Sequence, residues 1–236
     1  MRFLKHVLAL MSLSLGLVAA TASASPANPV LGTDYTQLPQ KLVTDTAGKK
    51  IQVTEFFWYS CPHCNALEPT LEAWLAKQGD KIIFKRVPVQ FDPRFIPQQK
   101  LYYTLEALNL VSTMHAKVFN AIHVERQALD TDDNILAWVV KQGIDKAKFS
   151  AMYNSFAVNT EVKKALQMEE AYKIDSVPYF AIDGLYMTSP LDASKSLPSN
   201  VADSVLFAAT MQTIDSLIAK AEALENTKVA KTPAKK

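Results

Sequence analysis

The chain has 236 residues, 25 basic against 23 acidic side chains and 49% hydrophobic residues, which suffices for one full core without covalent staples. So even a charge balance gives no support for nucleic-acid binding. With only Cys61 and Cys64 present, a stabilising disulfide framework of the kind common in exported proteins is also excluded.

In chain order, Arg2 and Lys5 precede an apolar stretch from Val7 to Ala20 and then Ala22-Ser23-Ala24. That is the build of a secretory signal peptide, expected over residues 1–24 and removed after Ala24. A stretch of fourteen residues, 7–20, falls short of the roughly 20 that span a bilayer, so an uncleaved anchor is the weaker reading. Ile51 to Tyr59 is rich in β-branched and aromatic residues and predicts a buried strand with Glu55 in its middle. After Cys61 the spacing turns helical through Leu67, Leu71, Trp74 and Leu75, with a kink expected at Pro69. Ile82 to Val87 predicts a second strand, and strand, helix, strand in this span implies a parallel pair with a right-handed crossover.

Helical patterns follow without a convincing strand: Gln98 to Asn109, Met114 to Glu125, Asp132 to Gln142, Asp145 to Asn154 and Glu161 to Tyr172, with Thr131 and Thr160 as start signals. Strand character returns at Tyr179 to Ile182. Asp183-Gly184 predicts a two-residue hairpin turn into Leu185-Tyr186-Met187, and a terminal helix is expected from about Val201 to Leu224. The fold class read from this order is α/β. A sheet domain is expected in two parts, 25–92 and 169–225, around an inserted all-helical domain over 93–168. Residues 226–236, with Lys228, Lys231, Lys235 and Lys236 and no acid, read as a disordered tail.

Cys61 falls where a strand ends and a helix begins, with Cys64 one turn further on. Free backbone N–H groups and the positive end of the helix dipole favour a thiolate at the first sulfur. His63 adds a cation or donor beside it. A purely structural disulfide is a competing reading, but closing four residues contributes only about 2 kcal/mol in the loop-entropy model. A zinc site would need two more ligands, and the other mature histidines, His115 and His123, sit at helical spacing in the insertion; no metal is expected. Glu55 either faces water on an edge strand or is buried beneath the second sulfur, where it can take a proton from Cys64. Lys81 and Lys85 are candidate charge partners for it, though solvated lysines are the stronger reading of the two. Val177-Pro178 opens a strand, and its isomer is not fixed by local sequence.

Glu55-Phe56-Phe57-Trp58-Tyr59-Ser60 before Cys61-Pro62-His63-Cys64, the helix with Trp74, the long helical insertion and Ser176-Val177-Pro178 together resemble the DsbA family of periplasmic disulfide-forming oxidoreductases. The resemblance covers nearly the whole mature chain. It implies a thioredoxin-like fold with an inserted all-helical domain, no cofactor, and a periplasmic location. Cys61 would be the attacked and attacking sulfur, Cys64 its buried partner, His63 the group that stabilises the thiolate, and Glu55 the buried acid. Pro178 would be cis, and Val177, Pro178 and Pro62 would be substrate-binding positions. The implied partners are reduced exported proteins, unfolded or partly folded, and a DsbB-like membrane quinone reductase that re-oxidises the pair. The Pro88 to Pro97 region departs from the family and leaves its buried lysine without a counterpart. A dimeric isomerase or reductase is disfavoured because only residues 25–60 precede Cys61 in the mature chain, so a monomer is expected; a chaperone-like binding module with a merely structural cysteine pair is the reading from another class.

Overall fold

A computed structural model describes residues 26–46 and 50–231. The expected signal peptide and residues 232–236 of the expected tail lie outside that range. After a short strand β1 (Thr36–Gln37), the chain forms β2 (Ile51–Phe57), α1 (Pro62–Gln78) and β3 (Ile82–Pro88). The helical segment follows as α2 (Ile96–Ala107), α3 (Val111–His123), α4 (Asp132–Lys141), α5 (Lys146–Tyr153) and α6 (Phe156–Tyr172). The chain then returns to the sheet as β4 (Tyr179–Ile182) and β5 (Tyr186–Thr188), and closes with α7 (Pro190–Ser194) and α8 (Asp203–Lys231).

The five strands form one sheet in the order β1-β5-β4-β2-β3. β2 and β3 are parallel, as the strand-helix-strand pattern requires, and β4 and β5 extend the sheet antiparallel. This is the α/β architecture expected, a thioredoxin fold carrying a helical insertion. Every residue of β2 is buried, because β3 and β4 flank it and helices cover both faces. On one face Leu67, Leu71 and Trp74 of α1 pack with Ile214 and Leu217 of α8 against Val53 and Ile182. Elsewhere along β2, Phe56 lies 5.2 Å from Tyr172 and Phe57 lies 5.3 Å from Tyr102, ring centre to ring centre. Those contacts join the sheet and the inserted helices in a single apolar cluster.

Several elements differ from the sequence pattern, and four of the differences have a plain local reason. α6 begins at Phe156, five residues before the expected Glu161, because the Ser155 hydroxyl accepts from the Val158 N–H at 3.2 Å and caps the helix there. Thr160 instead donates back to the Phe156 carbonyl at 2.8 Å from inside the helix. The two-residue turn at Asp183-Gly184 closes with the Leu185 N–H on the Ile182 carbonyl at 3.1 Å, but the ladder resumes one residue later, with Ile182 opposite Tyr186, because the Leu185 carbonyl is taken by the Leu38 N–H at 2.9 Å. α7 has no counterpart in the sequence pattern, because its five residues hold too little periodicity. α8 runs to Lys231, so residues 226–231 are helical and not part of a disordered tail. Lys41 anchors this end by bridging Asp183 at 2.6 Å and Glu225 at 2.9 Å.

Asp183 and Gly184 both have positive φ, 56° and 66°, the conformation that a tight hairpin of this hand demands. A Cβ on Gly184 would collide with the Leu42 carbonyl, whereas one on Gly143, at φ 82°, would meet nothing within 4 Å. Gly184→Ala is therefore expected to lower unfolding free energy by about 3 kcal/mol and Gly143→Ala by about 1 kcal/mol. Equal urea midpoints for the two variants would contradict this.

Candidate functional site

β2 runs out at Phe57, and Cys61 becomes the N-cap of α1 in extended backbone, φ −79° and ψ 117°. Pro62 then fits the first helical position, where its missing N–H costs nothing. Both cysteines are free thiols. The Cys61 sulfur takes the place of a capping oxygen and accepts from the Cys64 N–H at 3.4 Å. Its thiol also reaches the Val177 carbonyl at 3.5 Å, across the mouth of the site. Val177-Pro178 is a cis peptide bond. Cys61 is 6% exposed and Cys64 0%, while Pro62 and His63 are exposed.

These surroundings drive the two sulfurs apart in acidity. Cys61 is lowered to about 6, first by the hydrogen bond from the Cys64 thiol; burial opposes it, and the amides of Cys64 and His63 and the charge of His63 add to the lowering. Cys64 is pushed well up, chiefly by burial and then by donating to and facing Cys61. One sulfur of the pair is a stable thiolate and the other holds its proton.

Beneath them Glu55 is fully buried on β2, not on a water-facing edge. Burial pushes it up to about 8, with Arg86 opposing and the charges of Glu68 and Glu72 assisting. Its field reaches Cys64. The partner is neither Lys81 nor Lys85: Lys85 pairs with Asp45 at 2.8 Å at the surface. Arg86, directly opposite Glu55 in the β2–β3 register, donates from Nε at 3.0 Å. Its guanidinium also reaches Glu68 at 3.1 Å and Glu72 at 2.7 Å. Glu68 in turn meets His115 of α3 at 3.3 Å. Arg86, Glu68 and His115 were not singled out as site residues from sequence. Glu68 could have been: it lies one turn beyond Cys64 on the same face of an otherwise apolar helix stripe. Arg86 is identified only by strand register. Among the described residues no group of three or more His, Cys, Asp or Glu side chains is placed to hold a metal ion.

A cleft opens beside the cysteines, lined by His63, Val177, Pro178, Leu191, Leu206 and Phe207 among others. Leu191 on α7 is 71% exposed, an apolar side chain presented at its rim.

A dithiol at the start of the first helix of a thioredoxin fold, one sulfur anionic and the other buried, defines a thiol:disulfide oxidoreductase. The DSBA-like thioredoxin domain family matches residues 52–202, and the chain belongs to it. The thiol:disulfide interchange protein DsbA of Burkholderia cepacia is 43% identical over 187 residues, 79% of this chain and 88% of that protein. The protein of the same name from Bordetella parapertussis is 40% identical over 207 residues, 87% of this chain and 93% of its own. The crystal structure of Pseudomonas aeruginosa DsbA superposes with a TM-score of 0.74 at 32% identity, covering 83% of this chain and 95% of that one.

A folded acidity of about 6 for Cys61, below its ordinary value of 9.0, makes the stability of the reduced form depend on pH. A depressed group contributes stability that is fully present above the unfolded value and is lost as pH falls through the folded one. The thermal stability contributed by this sulfur in the reduced protein is thus expected to be full at pH 9 and to be lost as pH falls through 6, a dependence that Cys61→Ser should lack. Thiolate absorbance of the reduced protein should titrate near pH 6; a midpoint at that of a free thiol would contradict the capping argument.

Proposed function

We propose that the chain is a periplasmic dithiol oxidase acting on reduced, newly exported proteins. The observation that carries this is the Cys61 sulfur capping α1 beside the Val177 carbonyl, with its thiolate favoured and Cys64 buried behind it. A stabilised thiolate is a good leaving group and a low-energy reduced product, so the disulfide form is the oxidant.

In the forward direction a client thiolate attacks Cys61 of the Cys61–Cys64 disulfide. The sulfur–sulfur bond breaks, and Cys64 leaves as a thiolate that takes up a proton. A second client thiolate then attacks the client's own sulfur in the mixed disulfide and displaces Cys61 as a thiolate. The client has lost two electrons and the pair has gained them. Glu55, titrating near 8, supplies the proton that Cys64 takes and accepts it again when Cys64 attacks in the reverse sense. His63, exposed on the first turn, adds positive charge beside Cys61. Val177 presents its backbone to an extended client segment, and Pro178 and Pro62 bound the contact. The cleft toward Leu191 and Phe207 receives apolar client side chains. A DsbB-like membrane quinone reductase restores the disulfide, with the signal peptide at 1–24 placing the protein in the same compartment. The protein works as a monomer.

Equilibration with glutathione tests the direction of flow: a pair as hard to reduce as an ordinary structural disulfide would overturn the oxidase reading. Cys61→Ala is expected to abolish oxidation of a reduced test protein, while in Cys64→Ala the lone Cys61 thiolate attacks a disulfide-bonded test protein, releases one of its sulfurs as a thiolate and stays joined to the other as a mixed disulfide. His63→Ser should raise the Cys61 midpoint only modestly, since the His63 charge ranks below the Cys64 hydrogen bonds and the His63 amide in lowering that sulfur, and make the disulfide harder to reduce. Glu55→Gln should slow Cys64-dependent steps about tenfold or more at neutral pH and leave the Cys61 midpoint close to 6.

A further inference from the structure

Tyr59, two residues before Cys61, is held from opposite ends by two histidines of α3. Its hydroxyl lies 2.8 Å from His115 Nδ1, and its carbonyl lies 2.8 Å from His123 Nε2. Phe119, one turn from each, packs 5.1 Å from the rings of Tyr59 and His115. The second nitrogen of His115 is 3.3 Å from Glu68 Oε1.

The hydrogen bonds fix where the protons lie. Glu68 is an acceptor, because the His115 hydrogen bond and the charge of Arg86 together outweigh the burial that would raise it. His115 Nε2 must then carry the proton, and Nδ1 of the neutral ring accepts from the Tyr59 hydroxyl. Burial, aided by Arg86, keeps His115 below its ordinary value against the pull of Glu68 and Glu72. The groups facing this ring are Tyr59 ahead of α1, Glu68 and Glu72 on α1, Arg86 on β3 and Tyr102 on α2.

We propose that His115 is a positioning residue for the thiol chemistry: its Nε2–H holds Glu68 as an anion on the Arg86 guanidinium, and its Nδ1 fixes Tyr59 before the reactive sulfur. The helical insertion thereby sets the charge under the cysteines through one ring of α3. The sign of the effect follows from the shared arginine. Anionic Glu68 opposes ionisation of Glu55; without the His115 donor Glu68 takes up a proton more readily, Arg86 is freed to serve Glu55, and Glu55 becomes the stronger acid.

The importance of this device rests on Glu55 serving Cys64, but its test does not. In His115→Phe, which keeps an aromatic ring against Phe119, the Glu55 carboxyl followed by carbon NMR should titrate about one pH unit below wild type, a tenfold loss of proton affinity. His115→Gln, which retains a donor toward Glu68, should stay near the wild-type midpoint of about 8. A folded His115→Phe protein with an unshifted Glu55 overturns the proposal and leaves the role of Glu55 intact. Nitrogen NMR of the wild-type protein needs no variant to fold: a neutral ring protonated on Nε2 is expected at pH 7, and the Nδ1–H tautomer or an imidazolium would overturn the proposal equally.

Discussion

The chemistry hangs on one substitution of atoms: a sulfur sits where a helix ordinarily takes a serine, threonine or aspartate oxygen. A helix start presents backbone N–H groups with no partner inside the helix, and in α1 one of these, that of Cys64, points at Cys61 Sγ. The capping interaction of a neutral thiol is feeble; that of a thiolate is strong. Deprotonation, which the Cys64 thiol favours most, is therefore also favoured by helix capping, and redox poise follows from both. Cys64, a turn later and buried, has no share in that benefit except as donor to its neighbour.

The second constraint is electrostatic and lies in the sheet. Three carboxylates and one arginine meet in the space between β2, β3 and α1, and a single guanidinium cannot satisfy them equally. Glu55, the most deeply buried, keeps its proton at neutral pH; Glu68, with a histidine donor besides, gives its proton up. Environments that push like groups apart are how a proton donor and a fixed charge arise from one residue type.

Much of this was legible beforehand, and the limits have physical causes. The Cys61-Pro62-His63-Cys64 segment, its strand-to-helix setting, the parallel β2–β3 pair and β4 at Tyr179–Ile182 follow from local periodicity, because each signal lies within one element. Glu55 stood out as a lone acid in an apolar strand, yet its burial was undecided, since a strand exposes or hides a face according to neighbours the pattern does not name. Arg86 and Lys85 are adjacent in sequence and opposite in role: only the strand register pairs Glu55 with position 86. His115 and His123 were readable as helix residues but not as the clamp on Tyr59, because that contact joins positions 56 and 64 residues apart.

The apolar cluster shared by the sheet and the inserted helices carries a consequence for how the molecule can change. Cys64, Phe57, Leu101, Phe119 and Tyr153 belong to one packed body, so the insertion is an annex without foundations of its own. Excising it would strip the wall from behind the reactive pair, and grafting it elsewhere would leave its inner face bare. Side chains at the cleft rim around Leu191, by contrast, can change without disturbing that common masonry.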